Sequence, residues 1–416
     1  MKRFFCFTSH LFSRRAQLLS SPYQQTAKQP SFLALFAVAF IAWINFSSAQ
    51  AQSTSSTKPY FPSRHQWQQI KPEQAGFDAQ RLQAAVNYAQ RQAVTEPNDM
   101  RQVLLDSYTD REPNYRVLGP TAPRQVASGI ILKGGRIVTA WGDVERVDMT
   151  FSVVKSYLSS LAGLAEQEAL IEDLHKPVFH WVQDGSFSSP HNRAITWHHL
   201  LQQTSDWQGT LWEVPDWADR PVGETPADWP NRPLNPPGSV FKYNDVRVNL
   251  LAYSLMQVWR EPLPQVLKRK IMDPIGASTT WRWHGYENSW VTLDGLRMQS
   301  VSGGGHFGGG LFINTLDHAR YGLLFLRQGR WESQQIINPQ WIKRIRQPTT
   351  ARPDYGYMWW LNTDQKRIPE APASAYWAAG FGGNYIYVDE ENDLVVVLRW
   401  IPKLESVIAK ILQAKM

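Results

Sequence analysis

The sequence predicts an α+β fold, an antiparallel sheet domain with a helical domain inserted into it. Three observations lead there. Two β-rich runs, 127–133 and Arg136–Trp141, flank Gly134-Gly135, a short hairpin signal. Two further runs, Asn384–Asp389 and 393–400, are joined by a polar turn near the end of the chain. Between them, from about 170 to 300, helical pieces are broken by Trp- and Pro-rich loops, and strands at both ends of a helical middle fit an insertion.

The elements follow in chain order. Lys2, Arg3, Arg14, Arg15 and Lys28 precede an apolar run, 32–46, and then Ala49-Gln50-Ala51. A basic segment, an apolar stretch and an A-x-A site make a secretory signal, so residues 1–51 are expected to be removed. The run is shorter than the roughly 20 residues a membrane span needs, which argues against a lasting anchor. The basic lead is long for a signal, and the true start codon is expected further in. Residues 52–62 read as a Ser/Thr/Pro-rich linker, and 63–416 as the folded domain, its sheet lobe about 63–150 and 305–416 and its helical lobe about 151–304. Leu82, Ala85, Val86 and Ala89 set a helical period over 77–92, the segment 151–168 is a strong helix, and 404–415 is the last one.

Composition narrows the class. With 416 residues, 43% apolar and 12% aromatic, the chain has ample material for a core. The net charge of +7 hints at anionic partners, but residues 1–51 carry five positive charges and no acid, which leaves about +2 beyond them. Nucleic acid is therefore not expected as a partner. Cys6 is the only cysteine, so disulfide, thiolate and Cys–zinc chemistry are not expected in the processed chain. The expected location is secreted or periplasmic.

Ser152-Val153-Val154-Lys155 is an S-x-x-K tetrapeptide. A spacing of three on a helix sets Lys155 one turn above Ser152 on the same face. Positions 152, 155, 156 and 159 form a narrow polar stripe, with Glu166 and Gln167 carrying it towards water. Thr150 is the expected N-cap, leaving the Ser152 N–H in the first turn without a helical partner. A serine nucleophile needs such a donor and a nearby base. The second match, Ser55-Ser56-Thr57-Lys58, lies in the linker with nothing to hold it. A free lysine is protonated at neutral pH, so Lys155 as base must be desolvated or set beside another group. Tyr243, in Tyr243-Asn244-Asp245 at the start of a helix, is the candidate proton shuttle. Gly380-Phe381-Gly382-Gly383 leads into the 384–389 strand, and small residues there let a substrate approach a strand edge.

These sites, in this order, resemble the serine β-lactamase and penicillin-binding-protein superfamily, above all its class C-like branch with family VIII carboxylesterases and 6-aminohexanoate-oligomer hydrolases. The resemblance runs from about Gly76 to Trp400 and includes the segment 195–205, Pro236-Pro237-Gly238, Gly303-Gly304-Gly305 and Gly308-Gly309-Gly310. It implies a sheet flanked by helices with the site in the cleft beside the helical domain. It implies Ser152 as acylated nucleophile, Lys155 as its base partner, Tyr243 as proton carrier, and the N–H groups of Ser152 and Phe381 as oxyanion hole. No metal or organic cofactor is implied.

Two departures matter. The third motif, usually Lys or His, then Thr or Ser, then Gly, reads Ala378-Ala379-Gly380, so Ala378 and Gly380 are expected at the substrate without the usual cation or hydroxyl. Asp245 stands where an amide donor is usual, to steady Lys155, contact a substrate amine or stabilise the helix start. Both favour a small ester or amide without a recognised carboxylate. A β-lactamase or D-Ala-D-Ala peptidase, and a non-catalytic binding homologue, stay open as alternatives, as does the oligomeric state. Among the tryptophans of the Pro-rich stretch, Trp207, Trp212, Trp217 and Trp229 are candidates to line the cleft, Trp207 first. His198 and His199 read as structural, and His306 as a possible cleft border; none has metal-ligand spacing in sequence.

Overall fold

A computed structural model describes residues 58–95, 97–223 and 225–416. The secretory signal and the first part of the linker lie outside the described residues. Among the described residues no helix is long and apolar enough to cross a membrane.

The main sheet is six-stranded and antiparallel throughout. Its order is Trp360–Leu361, Tyr376–Gly380, Asn384–Asp389, Leu394–Arg399, Ser128–Lys133, Arg136–Trp141. The first and last β-runs of the sequence thus meet at the centre, with Ile130 opposite Val397. The hairpin turns on Gly134 and Gly135, both at positive φ (60° and 81°), as a two-residue turn of this hand requires. Leu394–Arg399 is buried along its whole length, which explains why it reads as an unbroken apolar run rather than an alternating one. The helix Thr315–Leu326 rides on one face of this sheet. Gly322 makes the approach possible: a Cβ there would lie 2.7 Å from Val395 Cγ1. The predicted first and last helices are Ala79–Arg91, capped by Asp78, and Leu404–Gln413, and they pack on each other.

The middle of the chain differs from expectation in one respect. Arg282–Leu293 and Leu296–Val301 form an antiparallel hairpin in a second sheet with Asp148–Met149 and Gly310–Ile313, inside the stretch read as helical. Asp294-Gly295 at its tip, both at positive φ, is the hairpin signal that was passed over.

The serine helix, Val154–Gln167, is buried on all sides from Val154 to Ala165. Its polar stripe is buried at positions 155, 156 and 159 and reaches water only at its far end, Glu166 and Gln167, as expected. Ser156 donates to Met358 O (2.8 Å) and the neighbouring Ser160 pairs with Tyr321 Oη (2.7 Å), whereas the Ser159 hydroxyl is buried with no hydrogen-bond partner among the described residues. Thr150 takes the N-cap position of the turn before this helix, as expected, but its side chain makes no capping bond; its hydroxyl pairs with His318 Nε2 at 2.8 Å.

Candidate active site

The chain enters the serine helix through a single 3₁₀ turn, Phe151–Val153. Phe151 sits at φ 48°, a conformation that side chains other than glycine adopt at a cost of about 1–3 kcal/mol. Its ring is held by edge contacts to Phe381 (5.3 Å) and Trp400 (6.2 Å). This bend presents Ser152, half-buried, at the floor of a cleft of about 270 Å³.

Lys155 Nζ donates to Ser152 Oγ at 2.7 Å and to Asp245 Oδ1 at 2.8 Å. Both charged side chains of that ion pair are all but inaccessible (2% and 1%). Burial alone pushes the lysine pKa down, but the Asp245 carboxylate and then Tyr243 together outweigh it and the net direction is up. Asp245 is correspondingly held down to about 2: burial raises it, and Lys155 and then Arg220 outweigh that. Lys155 is thus both desolvated and set beside another group, as expected, but that group holds its proton more tightly. The group beside Ser152 is an ammonium, because its neighbour is a carboxylate rather than an amide. Asp245 itself is not at the substrate, since it lies behind Lys155. Its second oxygen accepts the His306 N–H at 3.2 Å.

The Gly-rich segment has a concrete purpose here. A Cβ on Gly304 would fall 2.0 Å from Asp245 Oδ2 and 2.3 Å from Lys155 Nζ, so only glycine lets this backbone pass the ion pair.

Tyr243 precedes the helix Asp245–Trp259, whose cap is Asn244. The segment 195–205 fixes this turn: Gln203 O accepts the Lys242 N–H (2.9 Å), Gln203 Oε1 accepts the Asn244 N–H (3.0 Å), and Thr204 O accepts the Gly238 N–H (2.7 Å). The Tyr243 ring lies 4.7 Å from Lys155 Nζ and 5.3 Å from the Arg220 guanidinium, and stacks on Trp360.

Gly380 ends the strand that forms the opposite wall. A Cβ there would lie 2.2 Å from Thr150 O and 3.2 Å from the Ser152 nitrogen, so the strand end is pressed against the serine turn. Among the described residues, neither the Ser152 nor the Phe381 N–H donates to a backbone or side-chain acceptor. Strand alternation sorts the motif: Trp377 and Ala379 line the cleft, whereas Ala378 is buried (1%) on the other face and does not reach it.

Trp207 is also corrected. It is 2% exposed and donates its indole N–H to Ser186 O (2.8 Å), a packing role away from the cleft. Trp212, Trp217 and Trp229 do not line the cleft; Trp360 and Trp377 do. Reading back from Gly380 with a period of two would have reached Trp377. No sequence signal points to Trp360, Tyr108 or Arg220, which arrive from separate segments.

His306 is buried (4%) below the cleft rather than at its border. Among the described residues Glu112, Asp219 and His306 bring ligand atoms within 4.8 Å of one another, although they are far apart in sequence. His306 Nε2 pairs with Glu112 at 2.7 Å, and Asp219 pairs with Arg220, so the cluster is closed by its own ion pairs.

With this geometry in hand, comparison with known proteins gives three findings. The beta-lactamase family model matches residues 124–399. No curated protein sequence matches. Among solved structures, EstCE1, a hydrolase with promiscuous acyltransferase activity, superposes with a TM-score of 0.51 at 17% identity, covering 80% of this chain and 98% of its own. A penicillin-binding-protein homologue from Caulobacter crescentus gives 0.50 at 13% identity (77% and 98% covered). A candidate 6-aminohexanoate-dimer hydrolase from Bacillus anthracis gives 0.50 at 16% (75% and 79%). At these identities the likeness is one of fold.

Proposed function

From the premise that this chain belongs to the beta-lactamase family and is a serine hydrolase, we propose that it cleaves a small ester or amide through an acyl-enzyme on Ser152. One observation carries the reading: the 2.7 Å contact between Lys155 Nζ and Ser152 Oγ at the floor of a cleft that Tyr243 also lines.

The chemistry follows from what each group can hold. Ser152 Oγ attacks the carbonyl carbon and its proton passes to the Tyr243 oxygen as Tyr243 releases its own phenol proton towards the leaving group, since Lys155, held as an ammonium, cannot take it. Lys155 steadies the developing alkoxide by donating to it. The carbonyl oxygen gains charge facing the Ser152 and Phe381 N–H groups. The leaving oxygen or nitrogen takes that phenol proton, and the carbonyl bond to that atom breaks. Water attacks the acyl-enzyme, Tyr243 relays its proton in the same way, and the acid leaves as a proton returns to Ser152. EstCE1 and the aminohexanoate-dimer hydrolase candidate support esters and amides as the substrate types. The missing cation and hydroxyl at Ala378 and Ala379 argue against a β-lactam.

Export is part of the proposal, supported by the basic lead and the apolar run 32–46. The test is intact mass after fluorophosphonate treatment of the processed protein, wild type and Ser152→Ala. We expect one adduct on the wild type and none on the variant, on chains beginning after Ala51. A folded wild type without adduct removes the enzyme reading; an adduct on Ser152→Ala removes the nucleophile. Turnover of a chromogenic cephalosporin with none of nitrophenyl esters selects the β-lactamase reading instead.

A further inference from the structure

Arg220 is the unexpected charge in the cleft. It comes from the loop between the segment 195–205 and Tyr243, and its side chain is 38% exposed. Its backbone is at φ 53°, directly before Pro221, where a left-handed conformation is doubly disfavoured. Such a conformation persists only where the surroundings enforce it. Here the buried Glu112 accepts the Arg220 N–H (3.1 Å) through one oxygen and holds His306 Nε2 through the other. Asp219 accepts from the guanidinium, and Arg220 Nη2 reaches His306 Nδ1 at 3.5 Å. The cluster that resembles a metal site is thus a socket for one arginine.

The socket leaves that arginine able to bind. Among the described residues its guanidinium makes two hydrogen bonds where five N–H groups are available, and Nη1 also lies 4.0 Å from Asp245 Oδ1. The charge of Asp219 is shared, since it also accepts the Asp245 N–H and lies 3.6 Å from His306 Nε2. Of the charged side chains lining the cleft, Arg220 and Arg367 are cationic and Glu405, paired with Arg367 at 3.0 Å, is anionic. Lys155 and Asp245 cancel beneath it. The guanidinium stands 5.3 Å from the ring of Tyr243, the residue proposed above to give the leaving group its proton.

Resting on the reading of Ser152 and Tyr243 given above, we infer that Arg220 is a specificity residue that binds an anionic group, a carboxylate, on the leaving-group side of the substrate. Arg220 comes from a different segment than Ala378 and Ala379 and does not restore the hydroxyl missing there. The substrate class is then an ester or amide whose leaving group is acidic and, between Trp360, Trp377 and Tyr108, flat.

The test compares para-acetoxybenzoate with its neutral methyl ester, which lose the same acetyl group. The wild type is expected to prefer the anion in kcat/KM. That preference should fall about 10- to 100-fold in Arg220→Gln, chiefly through KM, and be partly kept in Arg220→Lys. A wild type indifferent to the charge, or a preference unchanged in Arg220→Gln, overturns the inference. A second measurement needs no variant: para-hydroxybenzoate should slow fluorophosphonate labelling of Ser152 in the wild type more than para-hydroxybenzamide does, and less so at high salt. Equal protection by the two overturns it. Labelling itself reports on Ser152, so failure of the nucleophile and failure of the anion site read out separately.

Discussion

Replacing Asp245 by Asn restores the amide that is usual at this position and removes one carboxylate oxygen's charge with almost no change of shape. At 2.8 Å and an effective dielectric near 20, the pair's Coulomb attraction is about 6 kcal/mol, and removing one partner of such a buried pair costs about 3–5 kcal/mol. For a domain of this size that is roughly 5–10 °C in melting temperature. The kinetic consequence is more diagnostic. With the carboxylate gone, burial loses its largest opponent and pulls the Lys155 pKa down against Tyr243 alone, so the amine can lose its proton at lower pH than in the wild type. The kcat/KM profile of Asp245→Asn should show an ionisation that the wild type lacks. The pH dependence of stability has a definite sign. Asp245 is held near 2 against about 3.9 unfolded, so its contribution is present above pH 4 and lost as pH falls towards 2. Lys155 is raised, so its contribution is present below its unfolded pKa and lost only at higher alkalinity. An Asp245→Asn variant that melts within about one degree of wild type, with a superimposable pH profile, would refute this reasoning.

Two further predictions concern the surroundings of the site. Gly304→Ala places a methyl 2.0 Å from Asp245 Oδ2 and should cost about 1–3 kcal/mol with loss of ester turnover, checked by thermal unfolding and kinetics together. Lys242 Nζ is buried without a hydrogen-bond partner, and burial, then Arg247 and Arg232, lower its pKa to about 8. Because the folded value lies below the unfolded one of about 10.4, the ammonium destabilises the protein fully below pH 8, and this penalty disappears as pH rises past 10.4. Lys242→Met should therefore stabilise by about 1–2 kcal/mol at pH 7, with the gain shrinking towards pH 10.5 in denaturant titrations.

What could be read from the sequence was what repeats locally. Ser152 and Lys155 are three residues apart on one helix, so their contact follows from helical geometry alone. The Gly134-Gly135 hairpin and the apolar faces of the outer helices are equally local. The Arg282–Leu293 hairpin was missed although Asp294-Gly295 marked it, because the surrounding Trp- and Pro-rich loops drew the reading towards broken helix. Trp207 was misplaced because aromatic content says how much surface a residue buries, and not which surface. Composition could not separate Trp207, which packs, from Trp377, which lines the cleft.

The sequence by itself determined the class of fold, the serine and lysine, and the glycine-rich entry to the 384–389 strand, since each depends on contacts within a few residues or on a periodic pattern. Only the tertiary structure decided the charge of Lys155 and the reach of Arg220. Those depend on Asp245, Glu112, Asp219 and His306, brought together across almost two hundred residues of chain. Electrostatic energies follow distance and burial in space, and sequence spacing carries neither.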